Sequence, residues 1–144
     1  MKRSRTLRSL VLLSAVAIPL SACGSDSDDS SDSGGGGAAT TDLSVAASEF
    51  EYSPDSATVV AGEAVTVTLD NGGAVEHNYS VVASGETIES EDDISDDLIV
   101  ASVDAVAAGA TGSGTITVDA GEYQVICTIE GHLDAGMEGS LTAE

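Results

Sequence analysis

Cys127, His132 and Met137 lie in one run, CTIEGHLDAGM, with four residues between each neighbouring pair. A helix cannot bring all three together. Residues five apart on an α-helix are rotated by about 140° net from one another, so these side chains would point apart. They converge only if a strand ends near Cys127 and the following chain turns back twice. Gly131 precedes His132 and Gly136 precedes Met137, and glycine accepts the positive φ angles that such turns use. The run therefore predicts a strand end followed by a tightly curled loop.

The chain from Leu43 to Glu144 is long enough for one domain, and its pattern is strand-like. Val65, Val67 and Leu69 alternate with Ala64, Thr66 and Thr68. Ile116 and Val118 alternate with Thr115 and Thr117, and Tyr123, Val125 and Cys127 share one face. Ser53-Pro54-Asp55, Gly62-Glu63, Asn71-Gly72-Gly73 and Asp119-Ala120-Gly121 supply turns between these runs. Short strands at this spacing predict an all-β, antiparallel β-sandwich. Residues 97–108 are ambiguous between a helix, a strand and an irregular crossover. Residues 86–97 hold seven carboxylates in twelve positions and read as a solvated insertion loop. With one Phe, three Tyr and no Trp, the core must close-pack Val, Ile, Leu and Ala.

His77, in EHNYSV, shares a strand face with Tyr79 and Val81 and can point inward. It lies 50 residues before Cys127 and would arrive from a neighbouring strand. The whole chain has two histidines, two cysteines and two methionines. Once Met1 and Cys23 are set aside, His77, Cys127, His132 and Met137 are all that remain. Singly, each has a bland reading: a satisfied buried histidine, a small apolar cysteine, a core methionine. Together they form the ligand set of a type 1 copper site, two imidazoles and a thiolate in a plane with a weak axial thioether. Zinc would favour a second thiolate, a third imidazole or a carboxylate over the thioether.

Residues 1–22 read as an export signal. Lys2, Arg3, Arg5 and Arg8 precede an apolar stretch, Leu10 to Leu20, too short to span a bilayer. Leu20-Ser21-Ala22 before Cys23 resembles a bacterial lipoprotein signal. It implies cleavage before Cys23 and acylation of that sulfur, placing the protein on the outer face of the cell membrane. A plain secretory signal and an uncleaved anchor are the alternatives. With Cys23 assigned to the signal and Cys127 to the ligand run, no structural disulfide is expected. Residues 23–42 are acidic and then glycine-rich, with too little apolar content to fold alone. They read as a flexible tether with a root-mean-square span of about 24 Å.

Beyond the signal there is no Lys or Arg, and all 25 acidic residues lie there, so residues 23–144 carry a formal charge of −25. Nothing can neutralise phosphates, which excludes nucleic acid as a partner. The self-repulsion predicts a melting temperature for the metal-free protein that rises with added salt, checked by thermal melts across an ionic-strength series. A saline habitat, a cationic redox partner and a merely solubilising surface all fit this charge.

The closing segment GEYQVICTIEGHLDAGMEGSLTAE and the earlier FEYSPDSATVVAGEAVTVTLDNGGAVEHNYSV are similar to the corresponding parts of the cupredoxin family of small blue-copper proteins. The four-and-four ligand spacing resembles the auracyanin and rusticyanin type rather than plastocyanin. Glu130 stands where many relatives have proline, and the resemblance does not extend to residues 84–113. The resemblance implies a Greek-key sandwich over residues 43–144 and one copper per domain. It implies His77, Cys127 and His132 as equatorial ligands and Met137 as the axial one. Asn78 would join the two ligand segments by hydrogen bonding. His132 would present its ring edge at the surface, within a patch including Ile129, Leu133 and Ala135. The implied function is one-electron transfer without substrate turnover, by a monomer serving redox proteins such as a cytochrome or membrane complex. A copper-delivery protein of the cell envelope, an accessory subunit of an oxidase or nitrite reductase, and a metal-free adhesion module remain as rivals.

Overall fold

The computed structural model describes residues 38–144. The export signal, Cys23 and the tether up to residue 37 lie outside the described residues. Backbone pairing begins at Thr40, which bridges to Val59. Strands β1 (Asp42–Ser48), β2 (Glu51–Ser53), β4 (Val65–Asn71) and β7 (Thr111–Ile116) form one sheet in the order β2-β1-β4-β7. Strands β3 (Ser56–Val59), β5 (His77–Val82), β6 (Ile99–Val106), β8 (Gly121–Ile126) and β9 (Glu138–Ala143) form the other, in the order β3-β9-β8-β5-β6.

The expected sandwich is present, built by the alternation read in the sequence. Val65, Val67 and Leu69 of β4 are fully buried, as are Val59, Val81 and Leu141 from the facing sheet. Each fully buried Val or Leu contributes about 1.5–3 kcal/mol relative to exposure, so the aliphatic core compensates for its few aromatics. Tyr52 and Tyr79 meet edge to face at 5.4 Å within it.

Both sheets are mixed rather than purely antiparallel. β1 runs parallel to β4, with Leu43 opposite Val67 and Val45 opposite Leu69. β3 runs parallel to β9. The reason is topological. Between β1 and β4 the chain crosses to the other sheet to lay down β3 and then returns, and such a crossover allows a parallel neighbour where a tight hairpin would not.

Residues 99–106 resolve the ambiguous segment as a strand. β6 pairs antiparallel with β5, and a register shift falls between His77 and Tyr79. Val103 pairs with Tyr79 and Val106 with His77, so three steps on β6 face two on β5. This bulge places residues three apart, Val103 and Val106, on the same buried face. In the sequence, that interval looks helical.

The acidic segment needs a partial correction. Asp92, Asp93, Asp96 and Asp97 are exposed, on two short 3₁₀ turns (Glu91–Asp93 and Asp96–Leu98). Ile88, however, is buried with Val82, Ile126 and Leu133 in a small second core on the outer face of the β5–β8 pair. The Gln124 side chain fixes it there. Its Oε1 accepts the Ile88 N–H at 2.8 Å and its Nε2 donates to the Ile88 carbonyl at 3.0 Å. The excursion is therefore a docked cover, and it explains why Ile126 is apolar on the face opposite Val125 and Cys127.

Candidate metal centre

The loop from Cys127 to Met137 joins β8 to β9, which pair up to Ile126 and Glu138. Its two ends are thus neighbours, and the Cys127 N–H donates to the Met137 carbonyl at 3.2 Å. Between them the chain curls as the spacing predicts. The His132 N–H donates to the Ile129 carbonyl, and the Met137 N–H to the His132 carbonyl, both at 3.0 Å. Gly131 has φ +86° and Gly136 has φ +98°. His77 opens β5, the strand beside β8, with its ring on the inward face that also carries Tyr79 and Val81.

These elements bring the ligand atoms of His77, Cys127 and His132 to within 4.8 Å of one another. His77 Nδ1 lies 3.2 Å from His132 Nδ1, and Cys127 Sγ also lies 3.2 Å from His132 Nδ1. His77, Cys127 and Met137 are fully buried, and His132 is 6 % exposed. The donor set fits a metal ion. Nitrogen and sulfur ligands bound at about 2.0–2.3 Å to one ion sit about 3.3–3.7 Å from each other. Three lone-pair donors converging on one buried point also call for a cation.

The surroundings favour the ligating form of the imidazole. Burial, and then the neighbouring His132, lower the pKa of His77, keeping the ring neutral, while Glu49 opposes this. Burial pushes the Cys127 thiol up, against the backbone N–H groups of Asn78 and Ile129, which favour the thiolate. A metal ion must therefore displace the thiol proton on binding.

Asn78 stands at the seam between the two ligand segments. Its Nδ2 donates to Thr128 Oγ1 at 2.7 Å and its Oδ1 accepts the Thr128 N–H at 2.9 Å. Tyr52, which the sequence did not single out, donates its hydroxyl to the Asn78 carbonyl at 2.5 Å. Burial raises its pKa far above the usual phenol range, so it remains a donor.

The surface over His132 departs from expectation. Leu133 turns inward to the second core and is buried, while Ala135 is exposed and Ile129 half-buried. The group standing over His132 is Phe50, at the β1–β2 turn. Its ring meets the His132 ring edge-on at 5.2 Å, and it is 38 % exposed. Phe50 is the chain's one phenylalanine and holds φ +60°, a strained conformation for a bulky residue. A lone Phe beside the Ser48–Glu51 turn was the signal available in the sequence, but only the fold shows what it covers.

Residues 39–144 match the family of copper binding proteins described as the plastocyanin/azurin family. Auracyanin-A of Chloroflexus aurantiacus is 32% identical over 157 residues, covering 94% of this chain and 96% of that protein. The copper-resistant cuproprotein CopI of Rubrivivax gelatinosus is 32% identical over 102 residues, covering 67% of this chain. The match spans 62% of CopI's length. Among solved structures, dithionite-reduced auracyanin from Roseiflexus castenholzii superposes with a TM-score of 0.63 at 28% identity, over 74% of this chain and 99% of that one. Auracyanin A of Chloroflexus aurantiacus gives 0.62 at 25% identity, over 72% and 98%.

Proposed function

Because this chain belongs to the plastocyanin/azurin family of copper-binding proteins, we propose that it is a membrane-tethered carrier of single electrons rather than an enzyme. The observation that carries the reading is the buried convergence of His77, Cys127 and His132. Those three residues, with Met137 as the weak fourth donor, would hold one copper ion. When bound, copper supplies a one-electron couple between Cu(I) and Cu(II). The protein's part is to keep the ligands still. The loop bonds at Cys127, His132 and Met137 and the Asn78–Thr128 pair resist rearrangement between oxidation states. Burial of three ligands and near-burial of the fourth exclude water. Both histidines of the chain are spent in the cluster, leaving no imidazole as a general base.

Electrons would pass by way of His132, the one ligand with an exposed edge, and Phe50 above it. The partner would be a cationic redox protein, since the domain presents only negative charge. The lipoprotein-like signal and the acidic tether support anchorage outside the cell membrane. The kinship with auracyanin-A, which extends over nearly the whole chain, supports the carrier reading.

The test is to add Cu(II) to the metal-free full chain and record visible absorption and EPR spectra. An intense blue or green band with narrow copper hyperfine splitting is expected, followed by repeated reduction and reoxidation without loss of metal. A pale solution with an ordinary tetragonal signal would overturn the site. A second reading, copper handling for resistance, is favoured by the similarity to CopI. It predicts transfer of Cu(I) to an acceptor apoprotein, which a carrier would retain.

Met137→Leu bears on the fourth donor. The swap nearly conserves volume and should cost under about 1.5 kcal/mol of stability. Loss of a donor that favours Cu(II) should raise the reduction potential by on the order of 60 mV, a tenfold change in preference. An unchanged potential would remove Met137 from the ligand set.

A further inference from the structure

The far side of the His77 ring presents an unsolved polar group. Nε2 is buried and has no hydrogen-bond partner among the described residues. Its other nitrogen, Nδ1, faces His132 and the ligand cluster. With Nδ1 as metal donor, Nε2 carries the proton, and a buried N–H without an acceptor is costly. The chain places a carboxylate beside it. Glu49, on the β1–β2 turn, accepts the Ala74 N–H through Oε1. An exposed carboxylate of this kind is ionised at neutral pH. Gly73 separates the two groups. A Cβ there would lie 2.8 Å from Glu49 Oε1 and 2.9 Å from His77 Nε2. Only glycine lets the carboxylate and the ring nitrogen close on the same small space.

We propose that Glu49 is a positioning residue for the copper ligand His77, its carboxylate accepting the Nε2–H across the bare Cα of Gly73. Such an outer carboxylate fixes the ring's tautomer and orientation and makes the ligating nitrogen more basic, which favours Cu(II). The turn carrying Phe50 over His132 then also carries the residue that orients His77, so one short segment serves both imidazoles. The inference rests on the copper reading above.

The test compares Glu49→Ala, Glu49→Gln and Glu76→Gln in the full chain. Glu76 is exposed and precedes His77 directly, so its variant removes equal charge without the contact at Gly73. In copper-loaded protein, Glu49→Ala should shift the Cu(I)/Cu(II) preference toward Cu(I) by about tenfold, or 59 mV for one electron. Glu49→Gln, which keeps an acceptor but loses the charge, should fall between Glu49→Ala and the parent. Glu76→Gln should change the ratio by less than about twofold, as a screened surface charge does. In metal-free protein, NMR should show the His77 Nε2–H exchanging at least about tenfold faster in Glu49→Ala, the loss of one charge-assisted bond. Equal shifts from Glu49→Ala and Glu76→Gln, or unchanged Nε2–H exchange, would overturn the proposal. A parent protein that never turns blue would overturn the copper reading instead, and the metal-free ring would still decide the role of Glu49.

Discussion

Cys127→Ala is expected to abolish the thiolate-to-copper absorption completely while leaving the sandwich folded. The colour of such a site comes from a sulfur–copper bond, and Cys127 supplies the only thiol among the described residues. The fold should survive because Cys127 lies just beyond β8, and its backbone bond to Met137 does not involve the sulfur. Replacing the buried thiol by a methyl group should cost about 1 kcal/mol. Copper added to the variant would meet two imidazoles, giving at most a pale, weakly held complex. Absorption spectra and thermal melts of parent and variant, each with and without Cu(II), check both halves. Retained blue colour would remove Cys127 from the site.

Asn71→Ala should be strongly destabilising, although none of the hydrogen bonds of the Asn71 side chain goes to a ligand. It ends β4 with its side chain 1 % exposed. Its Nδ2 donates to the Val75 carbonyl at 2.8 Å and the Val106 carbonyl at 2.7 Å, and its Oδ1 accepts the Gly73 N–H at 2.9 Å. One amide thus closes the loop leading into His77 and pins it to the end of β6. Alanine would leave these backbone groups without partners at a cost of about 1–3 kcal/mol each. A total loss of about 3 kcal/mol is expected, lowering the melting temperature by on the order of 10–20 °C. Copper affinity should fall with it, because the Gly73–Glu76 approach to His77 loses its anchor. A fall of less than about 2 °C would mean that the loop is held by something else.

Asn71 also shows where sequence reading reaches its limit. As Asn71-Gly72-Gly73 it announces a turn, and a turn is found. That the amide points inward and ties the loop before β5 to the end of β6 depends on a strand that begins 28 residues later. Leu133 is a similar case. Beside His132 it reads as part of an apolar surface patch, yet it turns into a second core that exists only because Ile88 docks on β8. Val103 and Val106 look helical until the bulge opposite His77 accounts for their spacing.

What could be read directly was whatever the local chain enforces. Period-two alternation identified the sandwich faces, since neighbouring side chains on a strand must point to opposite sides. The interval from Cys127 through His132 to Met137, with glycines before the last two, specified a curled loop, since no helix brings residues five apart together. The small inventory of thiol, imidazole and thioether groups then pointed to copper, since ligand chemistry depends on residue type before geometry. Only the tertiary structure could decide the parallel neighbours of β1 and β3, the edge-on cover of His132 by Phe50, and the approach of Glu49 to His77 over Gly73. Each is a contact between segments far apart in the chain. Their meeting is set by how two sheets close on a shared core, and no local pattern of residues encodes it.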